Sequence, residues 1–255
     1  MLDFLPRIAG ELLELLYPSR CRLCREINPD AICPSCMSGL QRLQSPICGV
    51  CGTSLALSTQ APCSRCRTSP PPFTLCRSLF HYRGEAREAI LKLKFEGRLS
   101  IAPILAGQLS EFYSQNASLL DGELLVPVPG GLGNSRVDAA PLLCHYLSAS
   151  SGLPMAAVLE HRRKIKPQHS LGLAKRAENV RDAYRVKDEE KVRGRRAILV
   201  DDIITTGATA QSCASELLKA GAARVAVLTL ARTPAEGETG LHLEEMGRVG
   251  ESPCI

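Results

Sequence analysis

The segment Ala197-Ile198-Leu199-Val200-Asp201-Asp202-Ile203-Ile204-Thr205-Thr206-Gly207-Ala208-Thr209 decides how this chain folds. Its first four residues are all apolar, which predicts a strand buried on both faces. That strand delivers two carboxylates to its carboxyl-terminal edge. A loop of small and hydroxyl residues then opens a helix over 209–220, closed by Gly221. The backbone N–H groups and threonine hydroxyls of such a loop can wrap a phosphate, and the positive end of the helix adds to the attraction. Carboxylates beside a phosphate cradle repel it unless they hold something else, such as sugar hydroxyls or Mg²⁺. Strand, acidic pair and loop together describe a pocket for a sugar phosphate. Two competing phosphate patterns fail. There is no GxxxxGK[ST], and Gly131-Leu132-Gly133 is followed by Asn134, Ser135 and Arg136, where a dinucleotide fingerprint needs glycine.

Outward from this segment, a second short run of strand-forming residues spans 225–230, so the order is strand, loop, helix, strand. That is a βαβ unit, which implies a parallel sheet with helices on its faces and ligands at the carboxyl ends of the strands. Upstream, 85–95 and 101–113 have helical periodicity and 124–128 reads as another strand. After Arg232 the chain turns to Gly, Glu and Thr with isolated apolar residues, so 234–255 is expected to be a loose tail. With 45% hydrophobic residues among 255, there is material for one ordinary core and a smaller appendage. No apolar run approaches the roughly 18 to 20 residues that span a bilayer, which excludes membrane insertion by a helix. Residues 1–17 carry apolar side chains in a helical rhythm, interrupted by Asp3, Pro6, Glu11 and Glu14. This pattern reads as a packing helix rather than an export signal, and it assigns the chain to the cytoplasm.

The twelve cysteines are unusual in such a chain, and a disulfide framework is not expected in a reducing compartment. Eight of them form four CxxC pairs: Cys21/Cys24, Cys33/Cys36, Cys48/Cys51 and Cys63/Cys66. A CxxC turn presents two sulfurs from one knuckle, so two knuckles make a closed tetrahedral zinc site and four make two sites. Taken in order the sites are Cys21, Cys24, Cys33, Cys36 and Cys48, Cys51, Cys63, Cys66, while spacing alone also admits a crossed pairing. No histidine lies between Cys21 and Cys66, so coordination is by thiolate alone. A closed four-sulfur site has no open position, which makes the zinc structural. The segment is poor in apolar residues and needs such a staple.

Charge is uneven. Residues 161–196 hold 13 Lys/Arg against 5 Asp/Glu, a net of +8 in a chain whose total is +5. Such a local excess suits an anionic partner or a phosphate-closing loop. Aromatic residues make up only 4% of the chain with no Trp, which disfavours tight recognition of single strands by base stacking.

Residues 198–209 resemble the 5-phosphoribosyl-1-pyrophosphate (PRPP) signature of type I phosphoribosyltransferases. With the knuckles ahead of it, the chain resembles the ComF family, amidophosphoribosyltransferase-like proteins associated with bacterial competence. The likeness runs from about Pro18 to Arg232. It is also carried by Lys92-Leu93-Lys94-Phe95-Glu96-Gly97-Arg98, by Val126-Pro127-Val128-Pro129, and by Gln168, Leu171, Arg176 and Asn179 ahead of Ala183-Tyr184-Arg185-Val186.

The resemblance implies an α/β fold, a type I phosphoribosyltransferase-like parallel sheet with flanking helices, plus a small N-terminal zinc-binding domain. The expected divisions are 1–76, 77–233 and the tail 234–255. By the same resemblance Asp201 and Asp202 are the catalytic pair, holding the ribose 2′ and 3′ hydroxyls with Mg²⁺ nearby. Thr205, Thr206, Gly207, Ala208 and Thr209 would take the 5-phosphate. The loop after Pro129, with Arg136 as its cation, would take pyrophosphate, and Lys94 also belongs to the binding set. Chemistry in such enzymes displaces pyrophosphate at ribose C1 through a cationic transition state, so the protein chiefly positions charge and excludes water. The implied function is PRPP binding with Mg²⁺, linked to competence and DNA uptake, with phosphoribosyl transfer as the reaction. The alternative is a catalytically inactive PRPP-sensing or single-stranded nucleic-acid-binding module. The implied partners are PRPP and single-stranded DNA or other competence proteins.

Overall fold

The computed structural model describes residues 17–55, 61–130, 135–162 and 183–234. The expected N-terminal helix up to Leu16, the glycine-rich run 131–134, much of the basic stretch (163–182) and all but the first residue of the expected tail lie outside them. Two short helices, α1 (Pro34–Gly39) and α2 (Ser64–Thr68), stand in the cysteine-rich segment. They are followed by β1 (Cys76–His81), α3 (Gly84–Glu96), a 3₁₀ turn at Leu99–Ile101, α4 (Ala102–Leu120), β2 (Leu124–Pro127) and α5 (Ala139–Ser151). The chain continues through β3 (Leu159–His161), β4 (Tyr184–Val186), β5 (Arg196–Ile204), α6 (Ala208–Lys219) and β6 (Arg224–Arg232).

Four strands form a parallel sheet in the order β1-β6-β5-β2. Alternation along the strands divides the core into two layers. Ile198, Val200, Ala226, Leu228 and Leu230 face one side, where α3, α4 and α5 contribute Ile90, Leu93, Leu105, Leu109, Leu143 and Leu147. Ala197, Leu199, Val225 and Val227 face the other, against Ala210, Cys213, Ala214 and Leu217 of α6. Because both faces are covered, β5 and β6 read as continuous apolar runs. The antiparallel pair β3–β4 flanks the second layer through Leu159 and Tyr184.

The central strand is longer than the sequence pattern predicts. Register with β6 continues through Asp201↔Thr229, Ile203↔Ala231 and Ile204↔Arg232, so the acidic pair lies inside the strand near its end. The helices expected over 85–95, 101–113 and 209–220 are present, with α4 running to Leu120 instead of ending near 113.

The cysteine-rich segment does not stand apart from this core. Cys21, Leu23, Ile32, Cys33, Cys36 and Leu40 are buried in the same cluster as the α3–α5 layer. Lys92 Nζ donates to Leu23 O at 2.9 Å, and Arg22 Nη1 to Ser100 O at 2.9 Å. Further on, Leu43 N donates to Leu79 O and His81 N to Gln41 O, so residues 41–43 cover the outer edge of β1.

Candidate functional site

The carboxyl ends of the parallel strands open into a cavity of about 330 Å³, lined by Tyr82, Lys94, residues 128–130, Ser135, Asp138, Ala140, Tyr184, residues 201–203, Thr205 and Thr209. Tyr82, residues 128–130, residues 201–203 and Thr205 arrive there because the parallel strands run the same way, so the segments at their carboxyl ends gather on one edge. The strand end supplies Asp201 and Asp202. The turn after it is made by Gly207, whose φ of 80° lies in the left-handed region open to glycine, and α6 starts at the next residue. Thr206 Oγ1 accepts from Ala208 N at 3.4 Å, which places this hydroxyl on the helix start. Thr205 and Thr209 face the cavity, whereas Thr206, Gly207 and Ala208 form the turn between them.

Charge in the cavity is partly balanced. Lys94 Nζ reaches from α3 to Asp202 Oδ2 at 2.7 Å, and Asp202 is buried. Burial alone would pull the lysine down, but Asp202 outweighs it and holds the ammonium above its ordinary value. Asp201 accepts from Asp202 N at 2.8 Å. Desolvation, followed by the neighbouring Asp202 carboxylate, pushes the Asp201 carboxyl well above the usual range, against the pull of that N–H and of Lys94. Two carboxylates facing one ammonium leave room for a further positive charge or for hydroxyl donors.

The opposite wall was less visible in the sequence. Gly130 approaches Asp138 so closely that a Cβ there would fall 1.6 Å from Asp138 Oδ1, so a larger residue would require the Asp138 side chain to move. His161 Nε2 lies 2.7 Å from Gly130 O, and since a carbonyl only accepts, this nitrogen donates. The His161 ring lies 4.8 Å from that of Tyr184, whose phenol is raised by burial. Arg136 does not reach the cavity wall. Its backbone N–H bonds Lys94 O at 2.7 Å and its side chain lies beside Gly97. Within the described part of the basic stretch, Arg162 pairs with Glu216, Arg185 with Glu160, Lys191 with Asp188, Arg193 with Glu189, and Arg196 with Asp121 and Glu123. Much of this positive charge is therefore committed to carboxylates. No sequence motif marks Tyr82 and Asp138, which line the cavity, or His161, which backs its wall through Gly130 O.

The cysteines assemble in sequential order. The sulfurs of Cys21, Cys24, Cys33 and Cys36 lie within 4.8 Å of one another, as do those of Cys48, Cys51, Cys63 and Cys66. Cys24 and Cys33 Sγ are 3.7 Å apart, and Cys51 and Cys63 Sγ 3.8 Å. Four thiolates at about 2.3 Å around one tetrahedral zinc stand about 3.8 Å from each other, so the donor sets fit that metal. Backbone N–H groups point at the sulfurs, from Leu23 and Cys33 to Cys21 Sγ and from Cys51 and Cys63 to Cys48 Sγ. Burial raises the Cys21 and Cys48 thiols, yet these donors prevail and bring both down to about 6, towards the ligating thiolate form.

Among the described residues no helix is long and apolar enough to cross a membrane. The double zinc ribbon domain family matches residues 12–67, and the phosphoribosyl transferase domain family matches residues 147–244. DNA utilization protein YhgH of Escherichia coli (strain K12) is 32% identical over 231 residues, which is 86% of this chain and 99% of that protein. Competence protein F of Haemophilus influenzae is 27% identical over 84% of this chain and 96% of its own length. Among solved structures, the glutamine phosphoribosylpyrophosphate amidotransferase from B. subtilis complexed with ADP and GMP aligns with a TM-score of 0.40 at 20% identity, covering 55% of this chain and 30% of that one. Identity of 32% across nearly the whole of a relative, with a double zinc ribbon ahead of a phosphoribosyltransferase domain, makes this chain a member of the ComF family.

Proposed function

We propose that the cavity at the strand ends binds PRPP with Mg²⁺ and that this binding serves a DNA-handling role. The observation that carries the reading is the convergence of Asp201, Asp202, Lys94, Thr205 and Thr209 on one cavity. Asp201 and Asp202 take the ribose hydroxyls, Thr205 and Thr209 with the turn between them take the 5-phosphate, and the Gly130 side faces the pyrophosphate. Lys94 neutralises part of the acidic pair until the ligand enters. Among the described residues only the cysteine sets bring three or more ligand-bearing side chains together. A carboxylate pair without a full protein cage suits Mg²⁺ that arrives with the diphosphate, since this ion keeps waters and shares substrate oxygens. When bound, Mg²⁺ supplies positive charge to the leaving diphosphate. The eight knuckle cysteines hold two zinc ions that fold the segment and take no part in chemistry. The relatives named for DNA utilization and competence support the wider role, with single-stranded DNA or another competence protein as partner.

Calorimetry of the zinc-loaded protein with PRPP and Mg²⁺ tests this reading, followed by a pyrophosphate-release assay on the same sample. Saturable binding is expected, and the doubly substituted Asp201→Asn, Asp202→Asn protein should lose it while melting like the parent. A parent protein that does not bind PRPP removes the proposal. Release of pyrophosphate with an acceptor would establish transfer; binding without release would leave the sensing role.

A further inference from the structure

The second ribbon and the phosphate loop touch. Arg65 lies in α2, between Cys63 and Cys66, and its Nη1 donates to Thr206 O at 3.0 Å, across 141 residues of chain. A helix of five residues has no stability of its own, so α2 holds its shape because Cys63 at its N-cap and Cys66 within it are fixed. A second tie runs underneath. Arg232 is buried at the end of β6, donates through Nη2 to Cys51 O, and lies 3.9 Å from Cys76 Sγ. Its backbone is in register with Ile204, the last residue before the loop, and Thr233 N donates to Ile204 O at 3.0 Å. The second cysteine cluster is thus fastened to the loop at its tip and at its base.

Residues 205–209 contain no cationic side chain. Arg65 reaches the tip of that loop from outside it, and its guanidinium carries further N–H donors beyond the one on Thr206. The bond from the guanidinium to Thr206 O is charge-assisted, and such hydrogen bonds are about twice as strong as neutral ones, so Arg65 holds the loop more firmly than a neutral donor would.

We propose that Arg65 is a positioning residue of the phosphate site, through which zinc at Cys48, Cys51, Cys63 and Cys66 and a phosphorylated ligand in the cavity strengthen each other's binding. This rests on the reading of the cavity given above. Loss of the metal would release the knuckles, and with them Arg65 and the loop. Linkage then requires the ligand to retain the metal in return.

The test uses the full zinc-loaded chain with Arg65→Ala, Arg65→Lys and Arg67→Ala. Arg67 shares the helix and the charge, and its side chain makes no hydrogen bond among the described residues. In the ligand-free protein, hydrogen exchange at amides 206–209 should quicken about fivefold to tenfold in Arg65→Ala and stay at the parent rate in Arg67→Ala. The affinity for PRPP with Mg²⁺ should fall by a similar factor in Arg65→Ala, by less in Arg65→Lys, and not in Arg67→Ala. PRPP should also slow the release to a chelator of one of the two zinc ions. Parent-like exchange in Arg65→Ala, faster exchange with unchanged affinity, or equal losses in Arg65→Ala and Arg67→Ala would each overturn the proposal. If the parent does not bind PRPP, the reading of the cavity fails, while the exchange rates still decide whether Arg65 holds the loop.

Discussion

Replacing Lys94 by methionine keeps most of the side chain and removes the cation that, among the described residues, pairs with the acidic strand end. The Lys94 Nζ to Asp202 Oδ2 distance is 2.7 Å, with side-chain exposures of 25% for the lysine and 9% for the aspartate. A fully exposed pair contributes about 0–1 kcal/mol. Stripping the partner from a buried charge costs about 3–5 kcal/mol. With one member buried and the other a quarter exposed, the loss lies between these limits, at about 2 kcal/mol. For a chain of this size that lowers Tm by about 4–8 °C. A pH signature accompanies it. Asp201 is already raised by burial and by Asp202, and Lys94 is among the groups that restrain the rise. A carboxyl raised on folding favours the fold below its unfolded pKa, and that contribution disappears as pH climbs through the folded value. Without Lys94 the Asp201 carboxyl rises further, so the variant should fall further behind the parent as pH increases towards neutrality. The lysine itself is raised above its ordinary 10.5, so in the parent its contribution stays complete through neutral pH and fades only above that value. Urea melts of both proteins from pH 6 to 8 measure this. Equal midpoints at pH 7, or a gap that closes as pH rises in this window, would refute the reasoning.

Elemental analysis of the pure protein should find two zinc ions per chain. Contents near zero with intact disulfides by mass spectrometry would exclude the zinc assignment. Leu23→Ala, in the first ribbon, should destabilise the whole sheet domain by about 3 kcal/mol in a single transition, because Leu23 is 1% exposed within the main core. A separate early transition for the ribbon, with the sheet unaffected, would show that the two do not share stability.

Much of the architecture was legible in short stretches. The run from Ala197 announces its strand, turn and helix because burial on both faces, left-handed glycine and helix start are all local requirements. Other elements gave weaker signals. β1 mixes Arg77, Ser78 and His81 with its apolar residues, and its buried Ser78 hydroxyl is satisfied by Thr229 at 2.7 Å, a partner on another strand. Helix α5 lies outside the elements expected from sequence, although Leu143 and Leu147 stand at helical spacing within it.

The sequence by itself determined the parallel βαβ core, the acidic strand end with its hydroxyl loop, and eight thiolates in four knuckles. Each is set by periodicity or by spacing over a few residues, where backbone geometry is decisive. Tertiary structure decided which knuckles meet, that Lys94 pairs with Asp202, that Tyr82 and Asp138 border the cavity with His161 behind Gly130 and Arg136 beside it, and that Arg65 reaches Thr206. It also joined the first ribbon to the main core through Leu23 and Leu40. The juxtapositions around the cavity follow from the strand order β1-β6-β5-β2, which brings distant carboxyl ends to one edge, and no local spacing encodes that order.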